Sequence, residues 1–243
     1  NILLIITLIF SVNQMLKPWQ IISKIFSLNF TYLIDFDFDY QKILAEYNEA
    51  KNKLTEIKHP SIGIDHDGGW VVVSLYSESG NASTVEKNKN KNTAPTEIIK
   101  YFSYTHEVIK KLLKTYNCQP RRIRFSTLKA KKKINWHRDW DESMEYGNSR
   151  LHLPLVVNDK CTNNLCHESY QWQPGGLFYG DYSFPHQIIN DGLDDRLHLI
   201  IDLKDPKNLF VDSKKFNRDE SKRKKIKKII IPIFNIFYKY PQK

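Results

Sequence analysis

The chain has 243 residues, with hydrophobic residues at 41%, aromatics at 13% and charged residues at 26%, the composition of a folded domain with ample chain for a core and not of a disordered segment. The formal charge of +10 is concentrated, since residues 204–243 hold 13 Lys/Arg against 4 Asp/Glu and leave the rest nearly neutral; a basic groove tracking nucleic-acid phosphates over the body is excluded, and no nucleic-acid partner is expected. Three cysteines cannot form a full disulfide framework, which favours a reducing, cytoplasmic setting.

The first residues, 1–12, are strongly apolar but too few to cross a bilayer as a helix. A signal-peptide core, the remnant of a longer anchor, and translation upstream of a start at Met15 remain open there, so the place of residues 1–34 in the fold is left open too. Alternating Asp and Phe at 35–40 lack the glycine and terminal glutamate of a calcium loop and suit a strand or turn entering a helix. Residues 41–56 read as a polar surface helix, and 77–94, rich in Ser, Asn and Lys, as a flexible loop. Ile98, Ile99, Phe102, Ile109, Leu112, Leu113 and Tyr116 then recur at helical spacing, which predicts an amphipathic helix packed on the outside of a β scaffold.

From residue 120 the pattern changes to strands. His137 and Asp139, at i and i+2, point to one face of a strand, as do Arg150 and His152 in the next, where leucines take the other face. Cys161 and Cys166 fall in a polar stretch without zinc-finger spacing and read as a loop. His186 follows Pro185, a residue suited to a strand start or edge, and Arg196 opens an apolar run that reads as a strand buried on both faces. Polar residues at alternate positions on neighbouring strands converge when the sheet curls around a cavity, as in a double-stranded β-helix or cupin-like jelly roll. The spacing therefore indicates a mainly β chain with flanking helices, carrying a metal site at His137, Asp139 and His186 and a carboxylate clamp at Arg196. His198 shares a face with Arg196 and reads as a packing residue or a donor behind it. His106 and His167 read as surface residues.

Residues 65–203 resemble the aspartyl/asparaginyl β-hydroxylase family of 2-oxoglutarate- and Fe(II)-dependent dioxygenases, with its proline hydroxylase-like members. The motifs are Asn-Trp-His-Arg-Asp at 135–139, Ser-Arg-Leu-His-Leu-Pro-Leu at 149–155, Pro-Gly-Gly-Leu-Phe-Tyr-Gly-Asp at 174–181, Pro-His-Gln-Ile-Ile-Asn at 185–190 and Asp-Arg-Leu-His-Leu at 195–199, in that order. The segments 69–75 and 122–125 are also similar. The resemblance implies Fe(II) held by His137, Asp139 and His186, and 2-oxoglutarate held by Arg196 at its far carboxylate and His152 at its near one, with dioxygen as the oxidant. Some members lack the carboxylate ligand; Asp139 is present here. Arg150 would face the cosubstrate or an acidic group of the substrate. The expected activity is hydroxylation of an amino acid, free or as an aspartyl/asparaginyl-type residue in a peptide. The alternatives are a membrane-associated lipid acyl-chain hydroxylase, as in the family's lipid A hydroxylase branch, and a non-catalytic cupin-like binding protein.

The dioxygenase domain is thus expected over 35–203, followed by a basic and apolar tail over 204–243. Lysines at 214–228 precede an apolar aromatic run at 229–238 that is too short to span a bilayer. That order suits contact with a membrane surface; the plainer reading is a solvated lysine-rich helix followed by a segment packed on the domain.

Overall fold

The computed structural model describes residues 16–83, 93–210 and 212–238; the apolar residues 1–12 and half of the Ser/Asn/Lys-rich loop lie outside them. In chain order the elements are α1 (Pro18–Ile25), β1 (Thr31–Ile34), α2 (Tyr40–Ala50), β2 (Ile57–Lys58), β3 (Trp70–Ser77), β4 (Ala94–Pro95), α3 (Ser103–Thr115), β5 (Gln119–Leu128), β6 (Lys132–His137), β7 (Asn148–Val156), β8 (Cys161–Leu165), β9 (Glu168–Tyr170), β10 (Leu177–Gly180), β11 (His186–Asn190), β12 (Arg196–Lys204) and α4 (Lys214–Phe237). An eight-stranded sheet runs β1-β10-β7-β12-β5-β3-β2, with β4 paired to β3, and a four-stranded sheet runs β6-β11-β8-β9. The two face each other: Trp70, Val72 and Leu128 of the large sheet pack with Ile134 and Ile188 of the small one.

Period-two alternation sorts the side chains of the large sheet into two environments. On β7, Leu151, Leu153 and Leu155, and on β12, Leu197, Leu199, Leu203 and Ile201, pack in the main core, together with Ile43 of α2 and Val108, Ile109 and Leu112 of α3. Arg150 and His152, and Arg196, His198 and Asp202, hold the intervening positions and are also buried. Their face is the one turned to the small sheet, so the same alternation that builds the core delivers the polar residues into the interior.

Two helix starts are set by carboxylates. Asp39 caps α2 by accepting from the backbone N–H of Gln41 at 3.0 Å and of Lys42 at 3.3 Å, which is the role of the acidic stretch before it. The expected helix over 98–116 is split: a 3-10 turn covers Glu97–Tyr101 and α3 begins at Ser103. Glu46 of α2 supplies the missing cap from outside, accepting from the N–H of Tyr104 at 2.6 Å and of Thr105 at 2.9 Å.

Three expectations change. The polar stretch with Cys161 and Cys166 is a hairpin, β8–β9, in which Cys161, Asn163 and Leu165 alternate inward, and both thiols are free and buried. Residues 16–34 are integral: Trp19, Leu28 and Phe30 are buried and β1 pairs with β10. The tail is likewise docked. Of the residues that a lipid anchor would use, Ile230 and Phe234 are buried in a second core with Trp19, Phe30 and Phe184, while Ile229, Ile236 and Phe237 are exposed. Arg223 of α4 donates Nε to Asp181 Oδ2 at 3.0 Å and Nη1 to the carbonyl of Asn29 at 2.6 Å. Among the described residues no helix is long and apolar enough to cross a membrane.

Candidate active site

His137 ends β6 and lies directly opposite His186, which opens β11, in the antiparallel ladder. Asp139 follows two residues later, fixed by its N–H donating to the carbonyl of Tyr182 at 2.9 Å. One ligand atom from each of His137, Asp139 and His186 lies within 4.8 Å of the others. Both imidazoles are oriented from behind. His137 Nδ1 is 2.8 Å from the carbonyl of Asn135, and His186 Nδ1 is 3.0 Å from that of Phe184. A carbonyl only accepts, so each Nδ1 carries the hydrogen and each Nε2 lone pair is left for a metal. Burial, and then the neighbouring His137, hold His186 well below the ordinary histidine range, which keeps it a neutral ligand. Two neutral imidazoles and one carboxylate fit a divalent first-row metal with open coordination positions.

The second constellation lies on β12 and β7. Arg196 is fully buried, and no carboxylate partners it among the described residues; its Nη2 donates to Asn163 Oδ1 at 3.1 Å and meets His198 Nδ1 at 2.7 Å. His198 Nδ1 is in turn 3.2 Å from His152 Nδ1. Arg196 Nε, His152 Nε2 and His198 Nε2 are buried without hydrogen-bond partners. A buried cation and three unspent polar atoms are costly unless an anion completes them. Tyr182 stacks on His152 at 4.9 Å and meets His186 edge-on at 4.7 Å, so one ring lines the space between the two constellations.

Arg150 is not placed as a substrate anchor. Its Nε donates to Asp202 Oδ1 at 2.6 Å, its Nη2 to Asp202 Oδ2 at 3.0 Å, and its Nη1 to Asp139. The fork that was expected to meet a substrate carboxylate is filled by the protein's own. Asp202 also accepts from Arg124 at 2.8 Å and Arg122 at 3.0 Å, and these guanidiniums, with Arg150 foremost, hold its carboxyl well below the usual range against its burial.

Sequence reasoning missed two features of this wall. Asp202 reads as one polar residue in an apolar strand; its step of two from Ile200 and four from His198 was the available signal. His59 carries no motif, yet its ring stacks on Trp70 at 3.6 Å, and Trp70 lies 6.4 Å from His137. Burial, and then Arg124, bring His59 down to about 2.

Residues 37–206 match the aspartyl/asparaginyl β-hydroxylase family. The chain belongs to this family of 2-oxoglutarate- and Fe(II)-dependent dioxygenases. The hydroxylase accordingly uses Fe(II), 2-oxoglutarate and dioxygen. No curated protein matches its sequence. Its fold is similar to that of an oxidoreductase of the 2OG-Fe(II) oxygenase family from Burkholderia pseudomallei, at 10% identity and a TM-score of 0.52, over 80% of this chain and 94% of that one. It is also similar to the non-heme α-ketoglutarate-dependent epimerase SnoN from nogalamycin biosynthesis, at 11% identity and a TM-score of 0.48 over 77% and 83% of the chains. A viral collagen prolyl hydroxylase from Paramecium Bursaria Chlorella virus-1 is similar at 7% identity and a TM-score of 0.45, over 72% and 97%. The hydroxylase is mainly β with flanking helices, on a jelly-roll scaffold like that of the Burkholderia pseudomallei protein.

Proposed function

We propose that this dioxygenase hydroxylates an amino acid, free or as an aspartyl/asparaginyl-type residue of a peptide, with Fe(II) held by His137, Asp139 and His186 and 2-oxoglutarate held by Arg196 and His152. The observation that carries the reading is the pairing of the His-Asp-His group with a fully buried guanidinium that no carboxylate partners among the described residues. Arg196 would hold the far carboxylate of 2-oxoglutarate in its planar fork, and His137, Asp139 and His186 would hold the metal that the keto acid needs.

Bound Fe(II), with the keto acid and dioxygen, supplies the oxidising power for an unactivated C–H bond. The chain's own residues orient and enclose. Asn135 and Phe184 fix the two imidazoles through their carbonyls, and Arg150 holds Asp139 against Asp202. Tyr182 and Trp172 close the cosubstrate side, Trp172 lying 5.3 Å from His152. His59 and Trp70 wall the opposite side beside His137.

The test is Fe(II)-dependent succinate formation from 2-oxoglutarate by the purified full chain across free amino acids and aspartyl- and asparaginyl-containing peptides, with mass spectrometry for a gain of one oxygen. Turnover with an added oxygen on one such compound, abolished in His137→Ala, is the expected result. Failure of the Fe(II)-loaded protein to bind 2-oxoglutarate overturns the site assignment. Oxygen gained only on lipid acyl chains overturns the substrate class.

A further inference from the structure

We infer that His198 is a positioning residue for the cosubstrate: it aims Arg196 through a neutral acceptor, so that the guanidinium stays fixed yet keeps its full positive charge for the incoming carboxylate. The inference rests on the cosubstrate reading of Arg196 given above and adds the residue that makes it work.

The geometry begins on one strand face. Arg196 and His198, two residues apart on β12, point the same way, and His198 is 0% exposed. Arg196 Nη2 approaches His198 Nδ1 to 2.7 Å. A guanidinium can only donate, so His198 Nδ1 must accept and its ring hydrogen must sit on Nε2. His152 Nδ1 lies 3.2 Å from the same nitrogen. Burial, and then the positive Arg196, hold His198 well below the ordinary histidine range, in keeping with a neutral ring.

The electrostatic consequence follows from what the contacts of Arg196 lack. Its described hydrogen-bond partners are an amide oxygen, Asn163 Oδ1 at 3.1 Å, and this imidazole. Elsewhere on the same face the chain treats buried arginines differently: Arg124 and Arg150 both donate to Asp202. A carboxylate at position 198 would orient Arg196 equally well and neutralise it at the same time. An apolar residue there would leave the charge intact and the fork unaimed. A histidine held in the Nε2–H form orients without neutralising.

Two substitutions separate aim from charge. His198→Asn keeps a neutral acceptor near the Nδ1 position, while His198→Asp keeps the acceptor and adds a negative charge. The experiment is calorimetric titration of 2-oxoglutarate into the full chain loaded with Fe(II) under anaerobic conditions. The Asn variant is expected to bind within about threefold of the wild type and the Asp variant roughly tenfold or more weaker. Binding by the Asp variant within about threefold of the Asn variant overturns the inference while leaving the cosubstrate reading intact. Absence of binding by the wild type overturns the cosubstrate reading itself. Histidine nitrogen NMR on the metal-free wild type gives a readout that needs no variant to fold. A neutral His198 with its hydrogen on Nε2 is expected, and a hydrogen on Nδ1, or a doubly protonated ring at neutral pH, overturns the inference.

Discussion

Arg150 and Asp202 face each other across the β7–β12 ladder and are joined twice, Nε to Oδ1 at 2.6 Å and Nη2 to Oδ2 at 3.0 Å. The pair is buried, and its third arm reaches the proposed metal ligand Asp139. Asp202→Asn removes the carboxylate that Arg122, Arg124 and Arg150 share; Arg122 and Arg150 keep Glu142, but Arg124 loses its ion pair, which costs about 3–5 kcal/mol for an uncompensated buried charge. Urea unfolding of the metal-free protein measures it, and a loss below about 1 kcal/mol would show the network to be dispensable.

Metal binding should be visible as stability. Ligands that bind only the folded state add about 2.7 kcal/mol at a hundredfold excess over Kd, so Fe(II) or Mn(II) is expected to raise the melting temperature and a chelator to reverse it. His186→Ala is expected to abolish the rise. An equal rise in that variant would place the metal elsewhere.

Arg196→Leu is expected to weaken 2-oxoglutarate by about 2–5 kcal/mol, because the cosubstrate carboxylate is left buried and unpaired. Metal affinity should stay as in the wild type, since Arg196 is not among the grouped ligands. Lysine should not rescue it, lacking the planar fork that meets both His198 and a carboxylate. Unchanged 2-oxoglutarate affinity in calorimetry would remove Arg196 from the site.

The pH dependence of stability has a defined sign. Burial holds His152 and His198 well below the ordinary histidine range, with Arg196 the next cause in each. Their folded pKa values lie below the unfolded value of about 6.5, so the stability they confer is fully present above that pH and is lost as pH falls below it. Each neutral histidine then costs about 1.4 kcal/mol per pH unit. The urea midpoint of the metal-free protein should drop between about pH 7.5 and about pH 5.5, and a flat profile would contradict the neutral cluster.

Arg223 links the last helix to the site, because its partner Asp181 lies in the turn that leads to His186 and that fixes Asp139 through Tyr182. Arg223→Ala leaves Asp181 buried and unpaired, an expected loss of about 3–5 kcal/mol in urea unfolding. Weaker Fe(II) binding should accompany it in calorimetry. Wild-type stability in the variant would make α4 an appendage.

Much of the site was legible because strand alternation is local. Arg196 with His198 announces a shared face within three residues, whereas Asp139 lies past the end of β6 and is brought beside His137 by the turn that Tyr182 fixes. What crosses strands was not legible. The filling of Arg150 by Asp202 depends on a register that pairs residues 150 and 202, and no spacing along the chain encodes it. The same limit hid the start of α3, whose cap comes from Glu46 on another helix, and the docking of the tail. A basic run before an apolar one fits lipid or protein equally well until Trp19 is seen to cover Phe234, their rings 5.0 Å apart.

That clasp between the two ends of the described chain has a consequence for synthesis. Trp19 meets Phe234, Phe237 and Tyr238, and Asn29 meets Asp219 and Arg223. A nascent chain emerging from its amino end cannot complete either contact until α4 has been made. Until α4 is made Trp19 lacks Phe234 and Tyr238, and the turn bearing Asp181 waits for Arg223. Contacts of such sequence separation are slow to close and leave apolar surface open to aggregation meanwhile. The residue that steadies the metal-binding turn of the hydroxylase is therefore made only after every strand of its two sheets.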